Sequence, residues 1–236
     1  MTGPQDDREL ISSGYQGVVY KISADSLPPG GPDPESHWLI VKEAMGFAPV
    51  RKLRQLMIRR EFEIYRRLED VPGVPKCFGL QDGKRLLLEF IDGHSLRLSN
   101  HELPDREAFF AELLEIIQAV HRAGVAHADL KRKDNILVTR DGRPRLIDFG
   151  TAVVKKGTGG WNDRIFRQAR QIDLNAWIKH KYLGRYDEIS DKDAQYFRPT
   201  RVEKWSRFVR EIWYKLTGRR RREQRRWARQ SRESHR

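Results

Sequence analysis

The chain holds a single cysteine, Cys77, so no disulfide can close within it, and a reducing compartment is the expectation. No stretch approaches the about 20 apolar residues that a membrane-spanning helix requires. Met1 to Asp7 has neither a basic start nor an apolar run, which leaves no secretion signal to read. A cytoplasmic protein is therefore expected. Internal repeats and Cys/His clusters at zinc-ligand spacing are also missing, which sets aside solenoids and zinc modules. Acid is scarce relative to base: 46 Lys and Arg face 33 Asp and Glu, for a net charge of +13. About half of that excess lies in residues 219 to 236, where nine Arg stand against two Glu. Such a tail is an electrostatic handle for anionic lipid, nucleic acid or acidic protein; its plainer reading is a solvated charge run. At 236 residues the chain can bury one substantial core, and a single domain fits better than two.

What is there centres on His127-Ala-Asp129-Leu-Lys131-Arg-Lys-Asp134-Asn135-Ile-Leu-Val138, followed by Leu146-Ile-Asp148-Phe149-Gly150. Thr139-Arg-Asp141-Gly142-Arg-Pro144 between them is a turn, so Ile136–Val138 and Arg145–Ile147 can pair as a hairpin that brings the two acidic loops together. Two acids with different tasks and an amide suit phosphoryl transfer from ATP. The γ-phosphate needs metal ions to hold its charge and one carboxylate to orient the incoming hydroxyl. On this reading Asp129 faces the acceptor hydroxyl, and Asp148 with Asn135 holds Mg²⁺, a hard ion that prefers oxygen.

The two stretches resemble the catalytic and metal-binding loops of the protein kinase superfamily, H-R-D-L-K-x-x-N and D-F-G. The resemblance covers roughly residues 10 to 180 and implies a two-lobed α+β fold: a small antiparallel sheet lobe with one helix over 10–91, and a reduced, mostly helical large lobe over 92–217. Residues 1–9 are read as a loose N-terminus and 218–236 as the basic tail. Asp129 and Asn135 enclose one residue more than the pattern allows. Strict counting puts Asp134 at the metal position; matching the apolar strand that follows puts Asn135 there, and Asn135 is preferred because strand register is fixed by packing. The longer loop is similar to bacterial atypical kinases related to the RIO and lipopolysaccharide (Kdo/WaaP-type) kinases.

The remaining site residues follow from that resemblance. Ile11-Ser12-Ser-Gly14-Tyr-Gln-Gly17-Val resembles the Gly-rich loop with Ser12 at the first glycine; Gly14 and Gly17 would let backbone N–H groups approach the phosphates. Lys42, closing the apolar run Trp38–Val41, stands where the family carries the lysine that reaches the α- and β-phosphates. Ala24 to His37 is too rich in Pro and Gly for a regular element and is read as a surface loop. From Val50 to Leu68 the spacing is helical, with Leu53, Met57, Ile64 and Leu68 on one stripe. Glu61 and Glu63 compete to pair with Lys42. Glu61 shares the face of Ile64 and Leu68, whereas Glu63 points roughly 160° away at about 100° per residue, so Glu61 is chosen. Arg85 to Ile91 resembles the strand leading into the hinge, with Leu88 at the back of the adenine pocket and Glu89 C=O and Ile91 N–H as adenine contacts.

Helices are expected over Asp105–Ala123, capped by Asp105, over Arg164–Ile178, and over Arg201–Thr217 with an aromatic-rich stripe. The resemblance makes His127 structural, gives Lys131 the task of neutralising the moving phosphate, and makes Asp173 a buried support for the catalytic loop; for Lys131 and Asp173 a plain surface position competes. Thr151 to Trp161 is short, and no A-P-E-like anchor follows, so the usual peptide platform is missing. The function expected is ATP- and Mg²⁺-dependent transfer to a hydroxyl. The basic tail suits a sugar on a membrane glycolipid such as lipopolysaccharide core, with the protein peripheral at the inner membrane. A RIO-like kinase of protein Ser/Thr is the alternative, small-antibiotic phosphotransfer a further one, and a pseudokinase or RNA-binding module the rival outside enzymology.

Overall fold

Short apolar runs such as Trp38–Val41 and Leu86–Leu88 build the first sheet of the protein, whose computed structural model describes residues 8–14, 17–26, 37–100, 102–157 and 159–198. Strands β1 (Glu9–Gly14), β2 (Gly17–Ser23) and β3 (Trp38–Glu43) are followed by helix α1 (Ala48–Arg67), then β4 (Cys77–Gln81) and β5 (Arg85–Glu89). The five strands pair antiparallel in the order β1-β2-β3-β5-β4. In β3, Leu39 and Val41 are buried while Ile40 and Lys42 face the other side, as a period of two requires.

Pro49 pre-sets the first turn of α1, whose entry has no side-chain cap. The buried residues of α1 fall in its C-terminal half, at Ile58, Glu61, Ile64 and Tyr65, with Leu68 buried just beyond. The expected stripe is therefore corrected at its start, where Leu53 is 52% exposed, while Ile64 and Leu68 are buried as expected. The physical reason is that α1 meets β4, β5 and the turn after Asp148, and its first turns bury none of their side chains.

Beyond β5 the chain forms β6 (Gly93–Ser95), α2 (Leu96–Ser99), α3 (Arg106–Arg122), β7 (Val125–Ala126), β8 (Ile136–Thr139), β9 (Pro144–Leu146), β10 (Val153–Val154), α4 (Gly160–Lys181) and α5 (Asp191–Ala194). Two small antiparallel sheets, β6-β8-β9 and β10-β7, sit among the helices. The expected hairpin is present, with Ile136 opposite Leu146 and Val138 opposite Pro144. Asp105 caps α3 through Ala108 N–H at 2.9 Å, and Phe109, Phe110, Leu113, Ile116, Ile117 and Val120 bury one face. Gly124 ends it at φ +76°, with the Arg67 guanidinium where a Cβ would point. α4 starts one turn earlier than expected and packs on α3, where Trp177 Nε1–H donates to Phe110 C=O at 2.7 Å. This is the α+β arrangement that the sequence implied.

The described residues up to Tyr196 form one compact unit. Residues 1–7, the helix expected over 201–217 and the Arg-rich tail lie outside the described residues. No described helix is long and apolar enough to cross a membrane.

His180, 1% exposed, joins α4 to the loop after β7 by donating from Nε2 to Leu130 C=O at 2.8 Å, and its Nδ1 has no partner among the described residues. Burial pushes its pKa down to about 4. In the unfolded chain a histidine takes its proton near pH 6.5, so between these values the unfolded state binds more protons and stability rises with pH. The contribution is whole above about pH 6.5 and lost as pH falls to about 4, a span of about 3 kcal/mol. Urea unfolding at pH 7 and pH 4.5 checks this: wild type should lose about 2–3 kcal/mol more than His180→Gln over that interval, and equal losses would refute it.

Candidate active site

The site is assembled from β3, α1 and the two loops that flank the β8–β9 hairpin. Lys42 Nζ lies 2.6 Å from Glu61 Oε1 and 3.0 Å from Asp148 Oδ1. The lysine is therefore clamped between α1 and the loop after β9. Glu61 is 2% exposed, while Glu63 is exposed. Burial lowers the affinity of Lys42 for its proton, but the charges of Glu61 and Asp148 outweigh it, and the pKa is raised. Burial pushes Asp148 up, and the charge and hydrogen bond of Lys42 outweigh that too, leaving its carboxyl below the usual range. Lys42 and Asp148 thus hold each other in their charged forms, in a part-buried pair.

Asp129 and Asn135 meet on the neighbouring loop, where Asn135 Nδ2 donates to Asp129 C=O at 3.0 Å and to its Oδ2 at 3.3 Å. Asp134 is held elsewhere. Its Oδ1 accepts from Ser95 Oγ at 3.0 Å and Arg97 Nε at 2.8 Å, its Oδ2 accepts from Arg97 Nη2, and these bonds pull its pKa down to about 2. The additional residue of the loop is thereby tied to the start of α2, and Asn135 is the one left beside Asp129. The two loops are joined directly: Ile147 N–H donates to Asn135 C=O at 3.0 Å, and His127 Nε2, which must carry the proton to meet a carbonyl, donates to Ile147 C=O at 2.9 Å. His127 is 1% exposed, as a structural role requires.

Asp173, fully buried on α4, accepts from the backbone N–H groups of His127 and Ala128, both at 2.8 Å, and from His121 Nε2 at 3.0 Å. Ala128 stands at the arginine of the H-R-D pattern and is left-handed, φ +65°. Lys131 is exposed. Leu88 is 3% exposed. β5 ends at Glu89, two residues short of the expected strand, and Glu89 is bonded to Lys76 through both its N–H and its carboxylate. No described residue accepts from the Ile91 N–H. Ser12 and Gly14 lie in β1, and the tip of their loop, Tyr15 and Gln16, is outside the described residues. Gly17, at φ +140°, has Glu43 C=O 2.2 Å from where a Cβ would sit, so the pairing of β2 with β3 demands glycine there by itself.

Two residues of the site, Tyr65 and Arg60, escaped the sequence reading, and a third, Phe149, was read only as part of its motif. Tyr65 OH accepts the Asp148 N–H at 3.3 Å, and its ring meets Phe149 edge-on at 5.4 Å; its spacing of one helical turn from Glu61 was the available signal. Phe149 also packs against His127 at 4.8 Å. Arg60 donates to Gly150 C=O at 3.0 Å and to Ala152 C=O, locking α1 onto the turn after Asp148. Nothing local marks an arginine for that task.

As for a metal, no group of three or more His, Cys, Asp or Glu converges among the described residues. One carboxylate and one amide, Asp148 and Asn135, fit a Mg²⁺ that takes its other oxygens from phosphates and water; they do not fit zinc or a self-sufficient calcium cage.

Comparison with known proteins bears on this geometry. A serine/threonine-protein kinase, cds1 of Schizosaccharomyces pombe, is 33% identical over 111 residues, covering 44% of this chain and 24% of the relative. The probable serine/threonine-protein kinase fnkB of Dictyostelium discoideum is 28% identical over 99 residues, 39% of this chain and 19% of the relative. The serine/threonine-protein kinase PknH of Mycobacterium tuberculosis strain H37Rv is 29% identical over 161 residues, 64% of this chain and 24% of the relative. The chain thus spans a quarter or less of the length of these relatives. The RIO domain model matches residues 44–167, just over half of the chain, from the start of α1's approach through the first turns of α4. With the five-stranded antiparallel sheet, its single helix and the helical region behind it, that match means the chain belongs to the RIO-domain family of protein-kinase-like proteins.

Proposed function

We propose that this chain is an ATP- and Mg²⁺-dependent kinase whose acceptor is a serine or threonine hydroxyl of a protein. The observation that carries the reading is Lys42, held between Glu61 and Asp148 in one chain of ion pairs. A buried lysine so fixed is a rigid cation for the α- and β-phosphates of ATP. Glu61 keeps its head group in place; Ser12, Gly14 and Gly17 belong to the strands that cover the nucleotide. Leu88 lines the adenine side, with Glu89 C=O and the Ile91 N–H, which no described residue accepts, as its hydrogen-bonding edge. Asp148 and Asn135 would hold Mg²⁺, which supplies charge neutralisation between the phosphates. Asp129, oriented by Asn135, accepts the proton of the acceptor hydroxyl as its oxygen bonds to the γ-phosphorus and the bond to the β-phosphate oxygen breaks, releasing ADP. Lys131 offsets charge on the moving group.

The acceptor choice departs from the glycolipid expectation. Serine/threonine-protein kinases and the RIO domain are what the chain is similar to, and these matches lend nothing to a likeness with lipopolysaccharide kinases. Incubation with γ-labelled ATP, a mixture of proteins and a core-sugar glycolipid is the test. Label on protein Ser or Thr, including this chain itself, is the expected result. Label confined to glycolipid would overturn the acceptor, and no label in any fraction would favour a pseudokinase.

A further inference from the structure

Away from Lys42, α1 and the segment around β10 line an open cavity of about 690 Å³. Arg60, Arg66 and Arg67 line it from one side and Val153, Val154 and Lys156 from the other, and Glu63 is the only acid of its lining. None of these four cations forms an ion pair among the described residues. Elsewhere in the same unit basic residues do find carboxylates, as Arg143 finds Glu112 and Lys181 finds Asp193. Positive charge is gathered here and left unmatched.

Two of the cations are fixed beforehand. Arg60 is bonded to the carbonyls of Gly150 and Ala152, and Arg67 Nε donates to Ala123 C=O at 2.6 Å. A guanidinium has five donors, so each keeps N–H groups for a ligand, with part of its ordering cost already met. Planar guanidinium forks match phosphoryl oxygens. The volume is in the range of ligand sites and far above that of one phosphate ion. No aromatic ring lines the cavity, so a nucleotide base has nothing to stack on, whereas half-buried Val153 and Val154 offer aliphatic contact to a peptide side chain.

We infer that this cavity is a docking site for a phosphorylated serine or threonine side chain of a peptide segment, and that its occupancy raises phosphoryl transfer. The second half rests on the kinase reading above. A phosphate held by both walls would bridge α1 to the chain just after Asp148 and so steady the clamp on Lys42.

Fluorescence anisotropy on the full chain, without ATP, tests the docking with one labelled phosphothreonine peptide and its unphosphorylated twin. Arg66→Ala/Lys156→Ala removes two cations whose side chains make no hydrogen bond or ion pair among the described residues, Arg66 only lying over the Phe62 ring at 6.0 Å, and Arg51→Ala/Lys52→Ala removes two exposed cations of α1 outside the cavity. The phosphopeptide should bind wild type and the control variant alike, and the cavity variant about tenfold or more weakly; its twin should bind weakly to all. Equal losses in both variants would reduce the site to general charge attraction, as would displacement by RNA that ignores the cavity variant. Competition by inorganic phosphate at the peptide's own concentration would remove the peptide from the proposal. In a labelling assay the phosphopeptide should raise wild-type transfer at least about threefold and leave the cavity variant at its basal rate. Binding without stimulation would sink the coupling alone. Binding to a chain that never labels any acceptor would sink the kinase reading and keep the site.

Discussion

Asp148→Asn is expected to lower kcat by at least about a thousandfold, a loss of about 4 kcal/mol of transition-state stabilisation, while unfolding free energy moves by no more than about 1 kcal/mol. The substitution is isosteric, and asparagine tolerates the left-handed conformation that Asp148 adopts, φ +66°. Its amide can still meet Lys42 through an oxygen, and Lys42 keeps the Glu61 carboxylate at 2.6 Å, so no buried cation is stranded. What disappears is the negative charge. Because Lys42 holds the Asp148 carboxyl below its usual range, that charge is present throughout the neutral range, and no adjustment of pH restores it in the variant. The variant should bind ATP in the absence of Mg²⁺ as well as wild type does, and gain much less from added Mg²⁺. Steady-state labelling at several Mg²⁺ concentrations, beside a thermal melt, separates the cases. Near-normal turnover would remove Asp148 from the metal site, and a collapsed melt would make its role one of folding.

How much of this was legible in the sequence depended on whether the signal was local. The β3 strand, the β8–β9 hairpin and helix α3 were readable because an apolar run, an Asp-Gly turn and an Asp cap are written in neighbouring residues. The preference for Glu61 over Glu63 was readable too, since helical geometry fixes which glutamate shares a face with Ile64. Leu53 shows the limit: periodicity says which residues share a face, not whether another element covers it, and here none buries that end of α1. The tie between Asp134, Ser95 and Arg97, and the bonds of Arg60 to Gly150 and Ala152, join residues 37 or more apart. No local pattern encodes such partners. They are consequences of packing, visible once the chain has folded.

The same reasoning makes Asp173 the residue on which the catalytic loop depends most. Asp173→Ala is expected to destabilise the protein by about 3–5 kcal/mol, a large part of the about 5–15 kcal/mol typical of a folded domain. Its carboxylate is wholly buried, and its removal orphans three donors that no water reaches easily: His127 N–H, Ala128 N–H and His121 Nε2. Each such group costs about 1–3 kcal/mol, and relaxation of the loop keeps the total below their sum. Ala128 adds to the argument. An L-residue in the left-handed region costs about 1–2 kcal/mol, and in the native chain the Asp173 bond to its N–H offsets that cost. Ala128→Gly, built into Asp173→Ala, should therefore recover up to about 1 kcal/mol by removing the Cβ that makes φ +65° unfavourable. Asp173→Asn keeps one accepting oxygen and the shape of the side chain, and should fall between wild type and alanine. Activity should fall further than stability at temperatures where Asp173→Ala remains folded, because Asp129 follows Ala128 directly and loses its aim when the turn relaxes. Urea unfolding and kcat on the same samples decide it. A loss under about 1 kcal/mol for Asp173→Ala, or no recovery from glycine at 128, would mean that the loop holds its shape through His127, His180 and the β8–β9 hairpin instead.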